Sequence, residues 1–221
     1  MPDPDLDWRD DVPVSTRYDD PYFSLAGGLD ETRHVFLDGN DLPARFTPGF
    51  QIAELGFGTG LNALAAWEAW RASGQTKPLR FTSFEAHPIP ANAMARALSA
   101  FPKLQDSAAQ LTDAWANGAR EIHLPGLHLS VVEGPAEDTL PAWPGRADAW
   151  FLDGFSPAKN PALWSPELLQ HVAQHTNPGG TAATYTAAGH VRRALAAAGF
   201  TVTRHPGFGR KRHMTRARLP G

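Results

Sequence analysis

Residues 52–64 read IAELGFGTGLNAL and decide the fold of this 221-residue chain. A strand-like apolar run ends at Leu55, three glycines follow at alternate positions, and a helix-forming run begins at Leu61. Glycine lets the backbone pass close to a ligand, and open α/β sheets bind their ligands at the carboxyl ends of buried strands. The stretch therefore predicts a strand, a ligand-binding turn and a helix in succession.

The acid in front of the turn indicates the charge of its ligand. The glycines follow the spacing G-x-G-x-G, which differs from the G-x-G-x-x-G of dinucleotide-binding turns. Glu54 would repel a pyrophosphate and attract a cation. The pattern E-x-G-x-G-x-G is similar to the turn with which S-adenosylmethionine (SAM) methyltransferases surround the aminoacid part of their cofactor. We therefore expect SAM here, and a glycine-rich turn without a ligand is the alternative.

The rest of the chain alternates short apolar runs with alanine-rich helical runs. Strands are predicted over residues 50–55, 80–85, 127–132, 147–152, 181–185 and 201–204. Helices are predicted over residues 61–72, 91–100, 106–116, 166–176 and 188–198. This alternation predicts an α/β fold with a doubly wound, mostly parallel sheet over residues 49–221, and an N-terminal elaboration over residues 1–48 that packs on it.

Acidic residues end the later strands, where a doubly wound sheet gathers its ligand contacts. Glu85 ends the second predicted strand, and its distance from the glycine turn suits contact with the ribose hydroxyls of a nucleoside. After the third strand, the adenine amine has three candidate partners: Glu133, Gly134 and Glu137. Asp153 ends the fourth strand and needs a partner, because an unpaired carboxylate is expensive to bury.

The loop after the fourth strand, DGFSPAKNPALW over residues 153–164, indicates an acceptor site. It is similar to the Asp/Asn-Pro-Pro-aromatic loop of methyltransferases that act on nitrogen, where a polar group holds an amine and an aromatic ring supports it. We expect Asp153 and Phe155 to act on the acceptor, and the same loop adds Lys159, Asn160 and Trp164. The alternative is that Asp153 caps the following turn.

Five stretches together resemble the methyltransferase half of the MnmC family. They are YFSLAGGLDETRHVFLDGNDLPARF, ELGFGTGLN, WFLDGFSPAKNPALW, GGTAATYTAAGHVRRALAAAGF and GFGRKRHM, in order between Tyr22 and Met214. That family uses SAM to methylate 5-aminomethyl-2-thiouridine at the wobble position of certain tRNAs. The resemblance implies a class I SAM-dependent methyltransferase (Rossmann-like) fold and makes Asp153 the catalytic carboxylate beside the cofactor. The other residues that we expect near the cofactor are Tyr22, Ser24, Glu54, Gly56, Phe57, Gly58, Asn62, Glu85 and Gly134.

We expect SAM as the cofactor and neither a metal nor FAD. The chain has no cysteine, and its nine histidines show no zinc-site spacing. The FAD-dependent oxidoreductase half of the fused family members is not in this sequence, so a separate oxidoreductase, or the enzymes that make the aminomethyl group, would be partners. One departure affects the adenine contact, because Gly134-Pro135 stands where the family usually has Gly-Asp.

Charge is distributed unevenly along the chain. Residues 1–31 hold nine acids and two arginines, whereas residues 168–221 hold eight basic residues and no acid. A local basic segment attracts nucleic acid. We therefore expect five basic residues to contact the phosphates of the tRNA anticodon loop: Lys159, Arg204, Arg210, Lys211 and Arg212. The alternative is that the basic residues of the tail pair with the acidic leader.

The overall composition suits a cytoplasmic globular protein that does not enter membranes. No apolar run approaches the roughly 20 residues of a spanning helix, and the acidic start lacks the features of a signal peptide. We expect methyl transfer from SAM to the primary amine of a tRNA wobble uridine. The alternatives are a methyltransferase for a small-molecule amine and a non-catalytic tRNA-binding subunit with the same fold.

Overall fold

The computed structural model describes residues 5–24 and 27–221. The strands in chain order are β1 (Leu6–Arg9), β2 (Val12–Ser15), β3 (Asp20–Pro21), β4 (Gln51–Leu55), β5 (Leu79–Glu85), β6 (Glu121–Leu124), β7 (Leu127–Glu133), β8 (Ala147–Leu152), β9 (Thr176–Thr184), β10 (Thr201–Pro206) and β11 (His213–Arg218). The α-helices are α1 (Gly28–Thr32), α2 (Leu61–Ala72), α3 (Ala91–Leu98), α4 (Gln105–Ala116), α5 (Ala136–Thr139), α6 (Pro166–Gln174) and α7 (Gly189–Ala197). A π-helical segment (Arg33–Leu37) continues α1, and short 3-10 turns cover Asp38–Asn40, Pro102–Leu104, Leu140–Ala142 and Pro161–Trp164.

The main sheet has eight strands in the order β10-β11-β9-β8-β4-β5-β7-β6. The five central strands, β9 to β7 in that order, are parallel, and the outer strands pair antiparallel. The chain builds outward from β4 in both directions, first through β5 and β7 and then through β8 and β9. Such a reversal leaves a crevice at the carboxyl ends of the central strands, where doubly wound sheets bind ligands. The predicted fold class is confirmed.

Strand β4 lies at the centre because all five of its residues are apolar or find partners inside the protein. Its side chains are at most 7% exposed, including those of Gln51 and Glu54. Helices cover both faces of the sheet, with α2 and α4 contributing to one buried cluster and α6 and α7 to the other. The buried strand thus delivers the glycine turn to a fixed place in the crevice.

The N-terminal segment contributes to the same core. Val35, Phe36, Leu37, Leu42 and Phe46 belong to one buried cluster with the sheet and α2. Ahead of them, β1, β2 and β3 form a small antiparallel sheet. Among the described residues, no helix is long and apolar enough to cross a membrane.

The three strands of the N-terminal sheet were not predicted, and three strands of the main sheet were missed or predicted to begin too late. β6 forms an edge hairpin with β7, and β11 inserts between β9 and β10. Arginines alternate with small or apolar residues in β11, and their charge hid the period-2 pattern of a strand. β9 begins at Thr176 and not at residue 181, because the Asn-Pro-Gly-Gly that follows Thr176 is typical of a turn.

Candidate active site

A cavity of about 1120 Å³ opens at the carboxyl ends of β4, β5 and β8. The glycine turn, the segment after β5, the loop after β8, α1, the N-terminal sheet and the turn between β10 and β11 form its walls. Single small-molecule sites usually measure about 300–1,000 Å³. The cavity therefore has room for a cofactor together with part of an acceptor.

The glycine turn follows β4 in a backbone conformation that other residues adopt only with strain. Gly56, Gly58 and Gly60 have φ values of 89°, 53° and 79°. A Cβ atom on Gly56 would lie 2.1 Å from the backbone oxygen of Asp153, so the turn and the loop after β8 touch backbone to backbone. This contact holds the predicted cofactor turn directly against the predicted catalytic loop.

Glu85 lies on the cavity wall and is hydrogen-bonded to the glycine turn. Its Oε2 accepts a hydrogen bond from the Gly58 N–H at 3.0 Å, and its Oε1 accepts one from the His87 N–H at 2.8 Å. A carboxylate oxygen has more than one acceptor site, so both oxygens can still accept hydroxyl donors from a ligand. Glu85 therefore lies where a ribose contact requires it, and that contact stays a prediction.

Asn62 connects two carboxyl groups beneath the cavity. Its Nδ2 donates to Glu54 Oε1 at 2.9 Å and to Asp153 Oδ2 at 2.6 Å. Thr32 Oγ1 donates to Asn62 Oδ1 at 2.9 Å, which fixes the orientation of the amide. Because both N–H bonds of an amide are used, Asn62 holds Asp153 in one position relative to β4.

Glu54 is not among the residues that line the cavity, and its contact with the cofactor stays a prediction. Its carboxyl group is 0% exposed and points inward, where Ser83 Oγ donates to Oε2 at 2.7 Å and Asn62 donates to Oε1. Burial raises the pKa of Glu54 well above its ordinary value, partly offset by these two hydrogen bonds. Glu54 therefore acts on the site through Asn62.

Asp153 is a titratable group on the cavity wall, and its surroundings shift its pKa. Burial raises the pKa of this carboxyl from its ordinary 3.8 to about 7, although the Asn62 hydrogen bond and the charge of Lys211 lower it. The charge of Glu31 raises it further. At neutral pH both protonation states are populated, so Asp153 can accept and release a proton during a reaction.

Two tyrosine rings pack against Phe155, which is predicted to act on the acceptor. Its ring stacks on Tyr18 with centroids 4.8 Å apart and meets Tyr22 edge-on at 5.1 Å. The Phe155 carbonyl accepts a hydrogen bond from Trp164 Nε1 at 2.8 Å. Trp164 is 3% exposed and is not among the residues that line the cavity, whereas its neighbour Leu163 is. A role of Trp164 in acceptor binding stays a prediction.

Some of the remaining cofactor candidates line the cavity and others do not. Tyr22, Ser24, Phe57 and Asn62 line the cavity together with Gly56 and Gly58. The adenine candidates Glu133, Gly134 and Glu137 do not, because the backbone N–H of Gly134 bonds to the Glu85 carbonyl and Glu133 turns outward to Arg120. Ala136 is the residue of this segment that reaches the wall, and the assignment of Gly134 to the cofactor stays a prediction.

Of the five predicted phosphate contacts, two line the cavity and three do not. Arg210 and Lys211 line the cavity mouth, whereas Arg212 lies exposed on the same turn and Arg204 on the edge strand β10. Lys211 pairs with Glu31 at 2.7 Å, and a second basic residue, Lys159, pairs with Asp19 and Asp20. Lys211 thus pairs with an acid of residues 1–31, as the alternative for the basic tail has it, whereas Lys159 lies outside that tail. The phosphate contacts of both lysines stay predictions. Asn160 lies on the cavity wall.

The sequence analysis missed Glu31, Thr32, Tyr18 and Tyr185. All four line the cavity, and the hydroxyl of Tyr185 donates to the Gly154 carbonyl at 2.7 Å. A signal was present for two of them. Glu31 and Thr32 precede the buried Val35 and Phe36 by four residues, and that helical spacing places them on the inner face.

Residues 102–220 match a family described as S-adenosyl-L-methionine-dependent methyltransferase. The match spans more than half of the chain and includes β8 and the loop that carries Asp153. The chain belongs to this methyltransferase family. The cavity of the methyltransferase fits SAM, because a glycine turn with an open backbone lies beside several acids, Asp20, Glu31, Glu85 and Asp153, that complement a cationic ligand.

The methyltransferase is similar to longer proteins. It is 50% identical to the "tRNA 5-methylaminomethyl-2-thiouridine biosynthesis bifunctional protein MnmC" of Caulobacter sp. (strain K31), over 98% of this chain and 38% of the relative. It is 46% identical to the protein of the same name from Chromohalobacter salexigens, over 96% of this chain and 32% of the relative. The chain thus spans between 32% and 38% of the length of these relatives.

A solved structure shares the fold. The crystal structure of MNMC2 from Aquifex aeolicus has a TM-score of 0.81 and 23% identity, over 98% of this chain and 70% of that chain. The class I SAM-dependent methyltransferase fold predicted from the sequence is therefore confirmed. Within residues 5–24 and 27–221, no three metal-ligating side chains are grouped as a metal site.

The raised pKa of Asp153 predicts how stability depends on pH. The folded protein binds a proton on Asp153 up to about pH 7, while the unfolded chain releases it near 3.8. This carboxyl therefore lowers the free energy of unfolding as pH rises from about 4 to about 7, and the loss is complete above that range. Asp153→Asn removes the penalty, so at pH 8 we expect the variant to be more stable by on the order of 2 kcal/mol.

Urea unfolding at several pH values measures this effect. The gain of Asp153→Asn should shrink as the pH falls toward 4. Asp113→Asn, on the exposed face of α4, is the matched control and should show no such trend. A variant at position 153 that is less stable than the parent at pH 8 would contradict the assigned burial of charge.

Proposed function

We propose that this methyltransferase transfers a methyl group from SAM to the primary amine of 5-aminomethyl-2-thiouridine at the wobble position of tRNA. The observation that carries the proposal is Asp153, a carboxyl with a pKa near 7 held by Asn62 against the glycine turn. The names of the relatives supply the substrate class, since they are called biosynthesis proteins for the methylated form of this nucleoside.

Several residues are available to hold the cofactor. The backbone of Gly56 and Gly58, the side chain of Asn62 and the carboxyl group of Glu85 line the same cavity as Asp153. Bound SAM would supply a methyl group made electrophilic by its positively charged sulfur. The ribose hydroxyls can donate to Glu85, whose oxygens already accept from backbone N–H groups and are thereby fixed in place.

The acceptor amine explains why a carboxyl with a raised pKa is useful. An alkylamine has a pKa near that of lysine, about 10.4, so at pH 7 it arrives as an ammonium ion without a free lone pair. Asp153 can orient the amine and accept the proton that it must lose before it attacks the methyl group. The rings of Phe155, Tyr18 and Tyr22 close the surrounding wall and exclude water.

The surface beside the cavity suits RNA. The exposed arginines of the turn between β10 and β11, Arg210 and Arg212, stand at or near the cavity mouth, and Arg204 follows the edge strand that leads to it. A wobble base must leave its stack to present its 5-substituent, which costs a few kcal/mol, and phosphate contacts can offset that cost. We propose that this turn contacts the anticodon-loop backbone.

The precursor requires a second activity. The relatives are called bifunctional and are much longer than this chain, so we propose that an FAD-dependent oxidoreductase, or the enzymes that install the aminomethyl group, acts before this methyltransferase. We place these steps in the cytoplasm, where tRNA is modified.

The central role of Asp153 is tested by methyl transfer to tRNA that carries 5-aminomethyl-2-thiouridine, followed by mass spectrometry of its nucleosides. For Asp153→Asn we expect kcat to fall by about 100- to 10,000-fold, since general-base assistance is worth that much. The parent kcat should rise with pH toward a plateau above about 7, and the variant should lose this rise. SAM affinity by calorimetry should change little.

The outcomes separate the candidate functions. Full activity of Asp153→Asn would refute the proton-transfer role. Methylation of small amines without methylation of this tRNA would favour the small-molecule alternative. Binding of tRNA without binding of SAM would favour the non-catalytic subunit.

The RNA surface is tested by reversing two charges. Arg210→Glu combined with Arg212→Glu should weaken tRNA binding and flatten its salt dependence. The reason is that a complex with fewer phosphate contacts releases fewer counterions when it forms. SAM affinity should stay unchanged. The exposed pair Lys77→Glu and Lys103→Glu, outside the cavity wall, is the matched control for the same change in charge. Equal tRNA affinity in the two double variants would place the RNA surface elsewhere.

A further inference from the structure

An ion pair inside the cavity is not explained by cofactor binding. Lys211 Nζ lies 2.7 Å from Glu31 Oε1 and 4.1 Å above the centre of the Tyr185 ring. All three residues line the same cavity as Asp153. A carboxylate and an aromatic face together form a site for an ammonium ion, and here the ammonium belongs to the chain itself.

The two partners of this pair differ in how firmly they are held. The Glu31 side chain is 11% exposed, whereas that of Lys211 is 45% exposed. Glu31 belongs to α1, whose neighbouring residue Thr32 is bonded to Asn62, so its position is fixed relative to the catalytic network. Lys211 reaches the pair from the turn between β10 and β11, on a long side chain that can turn back to solvent without disturbing either strand.

Charge explains why the site suits a second ammonium ion. Without a cation, Glu31 would face the cavity unpaired, and its charge also raises the pKa of Asp153. An ammonium ion from a ligand restores the balance in the same way as Lys211 does. A neutral ligand would leave Lys211 in place and gain nothing from Glu31.

We propose that Glu31 and the Tyr185 ring bind the protonated amine of the acceptor, and that Lys211 fills this ammonium site until the acceptor displaces it. The proposal rests on the proposed function in taking the acceptor to be an amine. It assigns different tasks to the two carboxyl groups: Glu31 binds the ammonium ion, and Asp153 receives the proton that this ion must lose. It also makes Glu31 the residue that selects an amine over a hydroxyl group.

The proposal is tested by binding, with the protein saturated with S-adenosylhomocysteine so that no reaction occurs. Two probe pairs compare an amine with its neutral counterpart: benzylamine with benzyl alcohol, and anticodon stem-loop RNAs with 5-aminomethyluridine or 5-hydroxymethyluridine at the wobble position. NMR titration serves the first pair and calorimetry the second. The parent should prefer the amine in both.

Glu31→Gln keeps the size of the side chain and removes its charge. We expect it to weaken binding of the amine probes by about 10- to 100-fold, as the loss of a charge-assisted hydrogen bond would, and to leave the neutral probes unchanged. Lys211→Met removes the competing ammonium and should strengthen amine binding several-fold. Asp41→Asn is the matched control, because Asp41 pairs with Arg216 and Arg218 outside the cavity wall.

Two results would overturn the inference: an unchanged preference for amines in Glu31→Gln, or weaker amine binding in Lys211→Met. Thermal melts of each variant establish that it is folded. If neither RNA binds while benzylamine keeps a preference that depends on Glu31, the ammonium site stands and the proposed RNA substrate fails.

Discussion

The site depends on one side-chain amide. Asn62 donates one N–H to Glu54 and the other to Asp153, while Thr32 fixes the amide oxygen. Through these three bonds the first helix of the sheet domain joins the central strand, the loop after β8 and the N-terminal helix. Without the amide, two carboxyl groups would face each other in a poorly solvated space, and each would lose a hydrogen bond, although Glu54 would keep the one from Ser83.

This arrangement lowers stability to serve chemistry. Two acids with raised pKa values stand side by side, and burial dominates the shift in both. Glu54 stays behind the wall and orients the amide, so its own charge is not available to a ligand. Asp153 faces the cavity and changes its protonation state near neutral pH. The difference in exposure assigns positioning to one carboxyl group and proton transfer to the other.

The sequence predicted the fold and the central site because both depend on local patterns. The glycine turn, the acids at the ends of β5 and β8 and the helix from Leu61 lie where the patterns placed them. The direction of a side chain is not a local property. Glu54 and Trp164 belong to the segments that form the site, but both side chains point into the core. There Glu54 accepts hydrogen bonds from Ser83 and Asn62, and Trp164 donates one to the Phe155 carbonyl.

The sequence also could not show which residues that are distant along the chain form pairs. Glu31 and Lys211 are separated by 180 residues and meet only because β11 inserts between β9 and β10, bringing the basic turn to α1. The composition showed an acidic leader and a basic tail but not which of their residues meet. Helical spacing places Thr32 on the inner face of its helix, but the sequence does not show that its side chain bonds to Asn62 on another element.

The central claim is that Asp153 ionises in the neutral range at the place where the methyl group is transferred. Carbon-13 NMR of the protein labelled at its aspartate carboxyl carbons measures this directly, and Asp153→Asn identifies the resonance by its loss. We predict a titration midpoint of about 7 for Asp153. A midpoint at the ordinary 3.8 would contradict it, because the carboxyl would then be a fixed charge and not a proton acceptor suited to neutral pH.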